Sequence, residues 1–151
     1  MSKININLIK KLREETGVAI IRIREVLEEV KGDEKKALEI LKKEGLEKAE
    51  RREGRETSQG KVFVYAHHTG KVVGVVELLC ETDFVAKTDQ FEQVGRDLAM
   101  QVASMGDENF PEQDFIKDGS KKIKDLVKEL IAKTGENVRL GRVIRVELGN
   151  K

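Results

Sequence analysis

Residues 72–86 read Val72-Val73-Gly74-Val75-Val76-Glu77-Leu78-Leu79-Cys80-Glu81-Thr82-Asp83-Phe84-Val85-Ala86, and the prediction of the core starts from them. Its first nine residues are rich in β-branched side chains and follow a turn signal at Gly70, which favours a strand. Over residues 88–105, apolar side chains recur at steps of three and four, which predicts a helix. Residues 81–86 are therefore predicted to form the corner between a buried strand and a helix.

Phe84 stands at this corner beside Asp83, and two interpretations are open for it. Either Phe84 folds back over the core as a lid, or the pair points outward as a wedge for a partner protein. Exposed loops on a rigid scaffold often carry function. The corner is therefore the candidate functional site.

Three motifs occur in order along the chain, namely Leu12-Arg13-Glu14-Glu15-Thr16-Gly17, Glu81-Thr82-Asp83-Phe84-Val85-Ala86-Lys87 and Gly135-Glu136-Asn137-Val138. Together they resemble the signatures of the elongation factor Ts family, the guanine-nucleotide exchange factors of the translational GTPase elongation factor Tu. The resemblance implies that the chain promotes GDP release from elongation factor Tu. An exchange factor catalyses dissociation without a chemical step, so neither enzyme activity nor a cofactor is expected.

The resemblance also implies which residues contact the partner. In the family, the Asp-Phe pair inserts between helices of elongation factor Tu near its Mg²⁺ and phosphate site, and a helical surface contacts the GTP-binding domain. The matching positions here are Thr82, Asp83, Phe84, Val85 and Ala86 in the corner, and Leu12, Arg13, Ile20 and Ile21 in the helices. This chain departs from the family pattern at Gln101, where the family usually has histidine.

The composition limits the other classes of function. Lys and Arg number 29 and Asp and Glu 28, a net charge of +1, which argues against nucleic-acid binding through bulk charge. A single cysteine, Cys80, leaves no internal disulfide and suits the cytosol. No apolar run approaches the roughly 20 residues of a membrane span, and no signal-peptide pattern opens the chain. A cytoplasmic protein is predicted.

Residues 4–46 contain three apolar stripes of helical period, which predict three short helices. Their stop signals are Thr16-Gly17, Lys31-Gly32 and Gly45, and Asp33 is predicted to cap the third helix. This three-helix unit resembles the ubiquitin-associated-like domain that opens elongation factor Ts.

The second of these helices starts with more apolar residues than one core face requires. Either some of Val18, Ile20 and Ile21 are exposed as a docking patch, or all three pack inward.

Residues 47–60 alternate in charge and are predicted to form a solvated connector. The predicted domains are a ubiquitin-associated-like domain at 1–50, a charged linker at 51–60 and a core at 61–151. An alternative function uses arginines of the linker and last strand for RNA or ribosome binding, although no direct nucleic-acid contact is expected from the balanced charge. These arginines are Arg51, Arg52, Arg55, Arg139 and Arg145.

The core is predicted to belong to the α+β class, with a three-stranded antiparallel sheet covered by two helices. A hairpin turns at Thr69-Gly70, and a second helix ends at Gly135. In the last strand, alternation places apolar residues on one face and charged residues on the other. The apolar set is Val138, Leu140, Ile144, Val146 and Leu148, and the charged set is Arg139, Arg145 and Glu147.

Residues 106–118, which include Pro111, are predicted to form a polar loop where the family generally has a longer helical insertion. The short form that this chain resembles dimerises through its sheet, so a homodimer is predicted. Arg142 interrupts the apolar face of the last strand, and either lies at the sheet edge or pairs with a carboxylate of a second subunit.

His67 and His68 are adjacent, so in a strand their side chains would point to opposite faces and share no metal. Cys80 lies in an apolar strand, where a thiol is usually inert. A small hydrolase built from these residues and Asp83 is a further alternative, but the sequence has no nucleophile elbow, phosphate loop or metal-ligand spacing.

Overall fold

Helices pack on one face of a three-stranded antiparallel sheet in the computed structural model, which describes residues 4–150. The helices are α1 (Ile6–Thr16), α2 (Ile20–Glu29), α3 (Glu34–Arg52), α4 (Asp83–Ala86), α5 (Asp89–Met105) and α6 (Ile123–Thr134). The strands are β1 (Gln59–Ala66), β2 (Val72–Cys80), β3 (Asp114–Phe115), β4 (Asp118–Lys122) and β5 (Val138–Glu147). The predicted α+β class and the antiparallel sheet are confirmed.

The predicted hairpin is formed by β1 and β2, and β2 is the central strand of the sheet, whose strand order is β1-β2-β5. Val64 pairs with Val75, and Gly70 supplies the positive φ, +70°, that the turn requires. The predicted stop of α6 at Gly135 is also confirmed, since this glycine adopts the left-handed conformation at the helix end.

Helix α5 lies very close to the sheet because two glycines place no side chain between the helix and the strands. A Cβ atom at Gly74 would lie 2.3 Å from the carbonyl oxygen of Ala99, and one at Gly95 would lie 2.2 Å from the ring of Phe63. Phe91 fills the space beside Phe63 and is fully buried. The sheet and α5 therefore form the rigid base of the corner at residues 81–86.

The predicted alternation of β5 is wrong in its second half because a β-bulge interrupts the pairing. Val76 pairs with Val143 but Leu78 pairs with Leu140, so Gly141 and Arg142 together stand opposite Glu77. A one-residue insertion of this kind reverses the face of every later residue. Gly141 permits it, since a Cβ atom there would lie 2.9 Å from the Cβ of Glu77.

The bulge divides the apolar residues of β5 between the two faces of the sheet. Val138 and Leu140 face the helices as predicted, whereas Ile144 and Val146 face away from them and Val143 takes the inner position. Together with strand neighbours they form an exposed apolar surface, termed here the outer face. Its members are Val62, Val64, Val73, Val75, Ile144 and Val146.

The three predicted N-terminal helices are confirmed, and they enclose a core of their own. Leu12, Ile23 and Leu41 are fully buried in it. The side chain of Asp33 accepts a hydrogen bond from the backbone N–H of Lys36, as an N-cap does. The likeness of this unit to a ubiquitin-associated domain stays a prediction.

The predicted stop at Gly45 is wrong, because α3 continues to Arg52. Gly45 allows α3 to pack closely against α6 and the end of α1. A Cβ atom at Gly45 would lie 3.3 Å from the Cβ of Ala132 in α6 and 3.6 Å from the carbonyl oxygen of Thr16. Ala49 lies one turn further on and is fully buried with the residues of the sheet core. Helix α3 therefore joins the N-terminal helices to the sheet, and the first residues of the predicted linker are helical.

The prediction of a polar loop over residues 106–118 is also wrong. Phe110 and Phe115 are buried, and strands β3 and β4 form a short hairpin. Buried Gln101 holds this segment on α5, donating to the carbonyl oxygen of Asp114 over 3.0 Å and accepting from the N–H of Ile116 over 3.0 Å. Gln101 is thus an internal tether in this chain.

An ion pair between α2 and α3 makes the stability of the N-terminal helices depend on pH. The Arg22 guanidinium donates to Glu44 from Nε and Nη2, over 3.0 and 2.7 Å, and holds the pKa of that carboxyl below its ordinary value of 4.5. A folded-state pKa below the unfolded one gives stability that is present above pH 4.5 and lost as the pH falls through the folded value.

Glu44→Gln is therefore expected to lower the melting temperature slightly at neutral pH, and the difference from wild type should disappear in acid. The effect is small because both side chains are about a third exposed. Melting temperatures of wild type and variant, measured from neutral pH to below pH 4.5, test this expectation. Glu39→Gln, on the exposed side of the same helix, is the control. A difference that persists unchanged in acid would contradict the assignment.

Candidate partner-binding surface

Phe84 projects into solvent from the one-turn helix α4, with 79% of its surface exposed. The interpretation of Phe84 as a lid over the core is therefore wrong. Asp83 beside it is also exposed, and its carboxylate lies 3.4 Å from the ammonium of Lys87. The corner thus presents a large aromatic ring next to an accessible negative charge.

Two threonines hold α4 in place at its ends. The Oγ1 atom of Thr82 accepts a hydrogen bond from the N–H of Val85 over 3.3 Å, which caps the start of the helix. The hydroxyl of Thr88 donates to the carbonyl oxygen of Val85 over 2.8 Å and also caps α5. Val85 and Ala86 are buried, so they anchor the turn while Phe84 points away from it.

The turn after α6 is hydrogen-bonded to the same corner. The residues that make these hydrogen bonds are termed here the clamp: Glu81 and Thr82 in the corner, and Glu136 and Asn137 in the turn. The Glu136 carboxylate accepts from both the N–H and the hydroxyl of Thr82, over 2.9 and 2.7 Å. In the opposite direction, the Glu81 carboxylate accepts from the N–H of Asn137 over 3.0 Å. Each loop therefore satisfies a backbone donor of the other.

Asn137 extends the clamp to the end of α3. Its side-chain amide donates to the carbonyl oxygens of Glu53 and Arg55, over 3.2 and 2.7 Å. Asn137 is 3% exposed, so these hydrogen bonds are shielded from water. The corner, the turn after α6 and the end of α3 are consequently held together at one junction.

A second exposed apolar surface lies at the start of α2. Ile20 is 41% and Ile21 73% exposed, whereas Val18 is buried. The interpretation in which all three pack inward is therefore wrong, and Ile20 and Ile21 are termed here the isoleucine patch. Arg13 is exposed, but Leu12 lies in the helical core and supports the surface without forming it.

The groups proposed for a hydrolase are not brought together. His67 and His68 lie in the turn after β1, so the rule of opposite strand faces does not apply to them, and their rings are 4.2 Å apart. Strand β2 separates them from Cys80 by about 25 Å. Burial raises the pKa of the Cys80 thiol, with the Glu136 carboxylate adding to the effect, and a protonated thiol is a poor nucleophile.

The arginines proposed for RNA binding do not form one basic stripe. Because of the bulge, Arg139 pairs with Leu79 and Arg145 with Gly74, which face opposite sides of the sheet. The Arg145 side chain also makes a hydrogen bond within the chain, donating from Nε to the carbonyl oxygen of Ala103 over 3.0 Å.

Other arginines in this part of the chain face carboxylates. Arg142 contacts Glu77 on the adjacent strand, which leaves the sheet-edge interpretation of Arg142 in place, and Arg55 lies 3.9 Å from Glu81.

The role of Glu81, Glu136 and Asn137 in holding the corner is not visible in the sequence. Glu136 and Asn137 belong to the motif at residues 135–138, but Thr82 and Glu81, their partners in the clamp, lie more than 50 residues earlier in the chain. A local pattern carries no sign of such a contact. The sequence shows only that Glu81 precedes Thr82 and that Glu136 precedes Asn137, so that each acceptor stands beside a hydrogen-bond donor, without showing that the two pairs meet.

A small α+β fold with exposed apolar groups on a rigidly held corner is typical of a protein that acts by contact with a partner. The family model described as Elongation factor TS matches residues 81–151. Elongation factor Ts of Thermotoga sp. (strain RQ2) is 38% identical over 193 aligned residues, covering 97% of this chain and 97% of the relative. That of Leptospira biflexa serovar Patoc is 36% identical over 189 residues, covering 93% and 96%.

The chain belongs to the elongation factor Ts family, and so to the translation elongation factors. The alignment with the Thermotoga relative spans 193 positions against the 151 residues of this chain, so that relative contains residues that are lacking here. Within residues 4–150, no helix is both long enough and apolar enough to cross a membrane.

Proposed function

We propose that this protein is a cytoplasmic guanine-nucleotide exchange factor for elongation factor Tu, and that Asp83 and Phe84 act as its wedge near the Mg²⁺ and phosphate site. The observation that carries the proposal is the exposure of Phe84, 79%, on a corner that the clamp and two threonine caps hold rigid. Because the backbone of the corner is already fixed, little backbone entropy is lost when the ring enters a partner.

The energy available from this contact is suited to nucleotide release. Mg²⁺ requires near-ideal octahedral geometry, so a small shift in the helices that support it weakens its hold on GDP. Burial of a Phe side chain contributes roughly 1.5–3 kcal/mol, which offsets part of the cost of holding the GTPase in that distorted state. The exposed Asp83 carboxylate repels phosphate charge or accepts a hydrogen bond in the same place.

The isoleucine patch supplies the second contact of the proposal. Ile20 and Ile21, with Arg13 on the preceding helix, bind the GTP-binding domain while the wedge acts at the nucleotide site. Two contacts on one rigid body add their binding energies without a second loss of translational freedom.

Release of a fluorescent GDP analogue from elongation factor Tu tests the function directly. Catalytic amounts of the protein should accelerate release many-fold, and an excess of GDP should weaken the binding of the protein to its partner by the same factor by which the protein weakens GDP binding. Unchanged release at a concentration where the two proteins bind each other would overturn the proposal.

We also propose that the protein forms a homodimer through its outer face. This face exposes a contiguous row of apolar side chains across three strands, including Val64 at 61% and Val146 at 58% exposure. Contiguous apolar surfaces on a sheet are typical of protein interfaces. The ion pair of Glu77 and Arg142 lies next to this surface and would contribute to its polar rim.

Val64→Glu is expected to convert the dimer into a monomer, because the substitution would bury an unpaired charge in the interface. Sedimentation equilibrium should give twice the chain mass of 17.1 kDa for wild type and the single chain mass for the variant. Ile116→Glu, at an exposed apolar position away from the outer face, is the control. A wild-type protein that is monomeric at high micromolar concentration would exclude this dimer.

A further inference from the structure

We infer that Glu136 is a positioning residue for the exchange reaction: through Thr82, it fixes the corner that presents Phe84. This inference deepens the proposed function and rests on it. No contact between Glu136 and the partner is required, because the effect passes through the hydrogen bonds to Thr82.

The geometry gives Glu136 unusual control over the corner. One carboxylate accepts both the N–H and the hydroxyl of Thr82, and the same Oγ1 atom caps α4 by accepting from Val85. The hydroxyl proton is thereby directed at Glu136, which leaves an oxygen lone pair facing the helix. Orientation of the cap and of Phe84, two residues after Thr82, therefore depends on this carboxylate.

The turn that carries Glu136 is itself held by hydrogen bonds on its far side. Asn137 is bound to Glu81 on one side and to the carbonyl oxygens of Glu53 and Arg55 on the other. The N–H of Glu136 donates to Oγ1 of Thr134, 3.3 Å away, which shapes the turn after α6. The turn that carries the carboxylate is thus fixed by hydrogen bonds to other parts of the chain, as the support of a positioning group must be.

Cys80 provides a reporter of this arrangement that does not involve elongation factor Tu. Its thiol is 0% exposed and donates to the carbonyl oxygen of Thr82 over 3.0 Å. The corner therefore covers the only cysteine of the chain. Release of Thr82 from Glu136 should uncover the thiol.

The first experiment measures labelling of Cys80 by a small neutral thiol reagent without any partner present. Glu136→Ala is expected to label about tenfold faster than wild type, because the corner opens locally. Thr82→Val should also label faster, whereas Thr82→Ser, which keeps the hydroxyl, should restore slow labelling. Glu108→Ala, which removes an exposed glutamate outside the clamp, is the control. Wild-type labelling rates in Glu136→Ala would overturn the inference.

Local opening is distinguished from a loss of overall stability by repeating the labelling at low urea concentrations. Labelling through local opening changes little with urea, whereas labelling through global unfolding rises steeply. A steep urea dependence in Glu136→Ala would assign the residue to general stability and contradict the positioning role.

The second experiment is a double-mutant cycle on GDP release. Glu136→Ala is expected to lower the maximal acceleration about 10- to 100-fold, since a displacement of about 1 Å in a positioned group has an effect of this size. The Glu136→Ala, Phe84→Ala double variant should release GDP no more slowly than Phe84→Ala alone, because Glu136 acts through Phe84. Additive losses would contradict the inference.

These measurements separate the inference from the proposed function. If wild type does not accelerate GDP release but Glu136→Ala exposes Cys80, Glu136 holds the corner in place, and the exchange function, with the role of Glu136 in it, is wrong. If wild type accelerates release and Glu136→Ala leaves both labelling and release unchanged, the exchange function stands and the positioning role of Glu136 is wrong.

Discussion

Phe84→Ala should reduce the acceleration of GDP release by about 10- to 150-fold, corresponding to the roughly 1.5–3 kcal/mol that burial of the ring contributes. The loss should fall on the maximal rate more than on the protein concentration needed for half of it, because in the proposed complex the isoleucine patch of the variant would still bind elongation factor Tu. Stopped-flow release of a fluorescent GDP analogue over a range of protein concentrations separates the two quantities.

The variant should fold normally, since Phe84 is 79% exposed and substitutions at such positions usually change stability by less than about 0.5 kcal/mol. Ile116→Ala is a matched control. It also removes a large apolar side chain from the surface, at a position that is 52% exposed in the turn between β3 and β4. Equal rates for wild type and Phe84→Ala would show that the ring is not the wedge.

Gly74→Ala is expected to have the largest effect on stability. The added Cβ atom would lie 2.3 Å from the carbonyl oxygen of Ala99 and 2.8 Å from the backbone nitrogen of Ala103. Neither is the end of a flexible side chain, so all of α5 must move away from β2. A loss of about 3 kcal/mol or more is expected, which lowers the melting temperature by about 10 °C.

Urea and thermal unfolding measure this loss, and Gly119→Ala is the matched control. A Cβ atom at Gly119 meets nothing within 4 Å, so the same chemical change there should leave stability almost unaltered. Similar melting temperatures for Gly74→Ala and wild type would mean that α5 is free to shift on the sheet. The exchange activity of the folded fraction would then show whether the corner depends on that contact.

The elements that follow a strong local pattern were predictable from the sequence. The hairpin of β1 and β2, helix α5 and the stop of α6 at Gly135 all depend on periodicity or on one residue with a special backbone conformation. The position of the corner follows from these elements, because it is the junction between β2 and the helix that comes next.

What could not be predicted depends on contacts between distant parts of the chain. Gly45 has the residue type of a helix stop, but the proximity of Ala132 in α6 gives it a packing function. The bulge at Gly141 and Arg142 is visible only once Glu77 is placed opposite them. The same reason applies to the clamp, whose halves are separated by more than 50 residues.

The direction of Phe84 was the most important question that the sequence left open. An aromatic residue beside a buried strand is equally compatible with a lid and with a wedge. The geometry of α4 determines where Phe84 points. The single turn of this helix buries Val85 and Ala86, which directs the residue before them outward.

The unbroken course of α3 to Arg52 bears on how quickly a complex of two contacts can form. A flexible connector would leave the second contact to be found by diffusion of a tethered domain, at an effective concentration set by the length of the tether. Here the helix ends at the junction where Asn137 binds Glu53, so both surfaces arrive as parts of one body. If the corner and the isoleucine patch bind elongation factor Tu as proposed, docking of either surface therefore brings the other close to its own target on the partner.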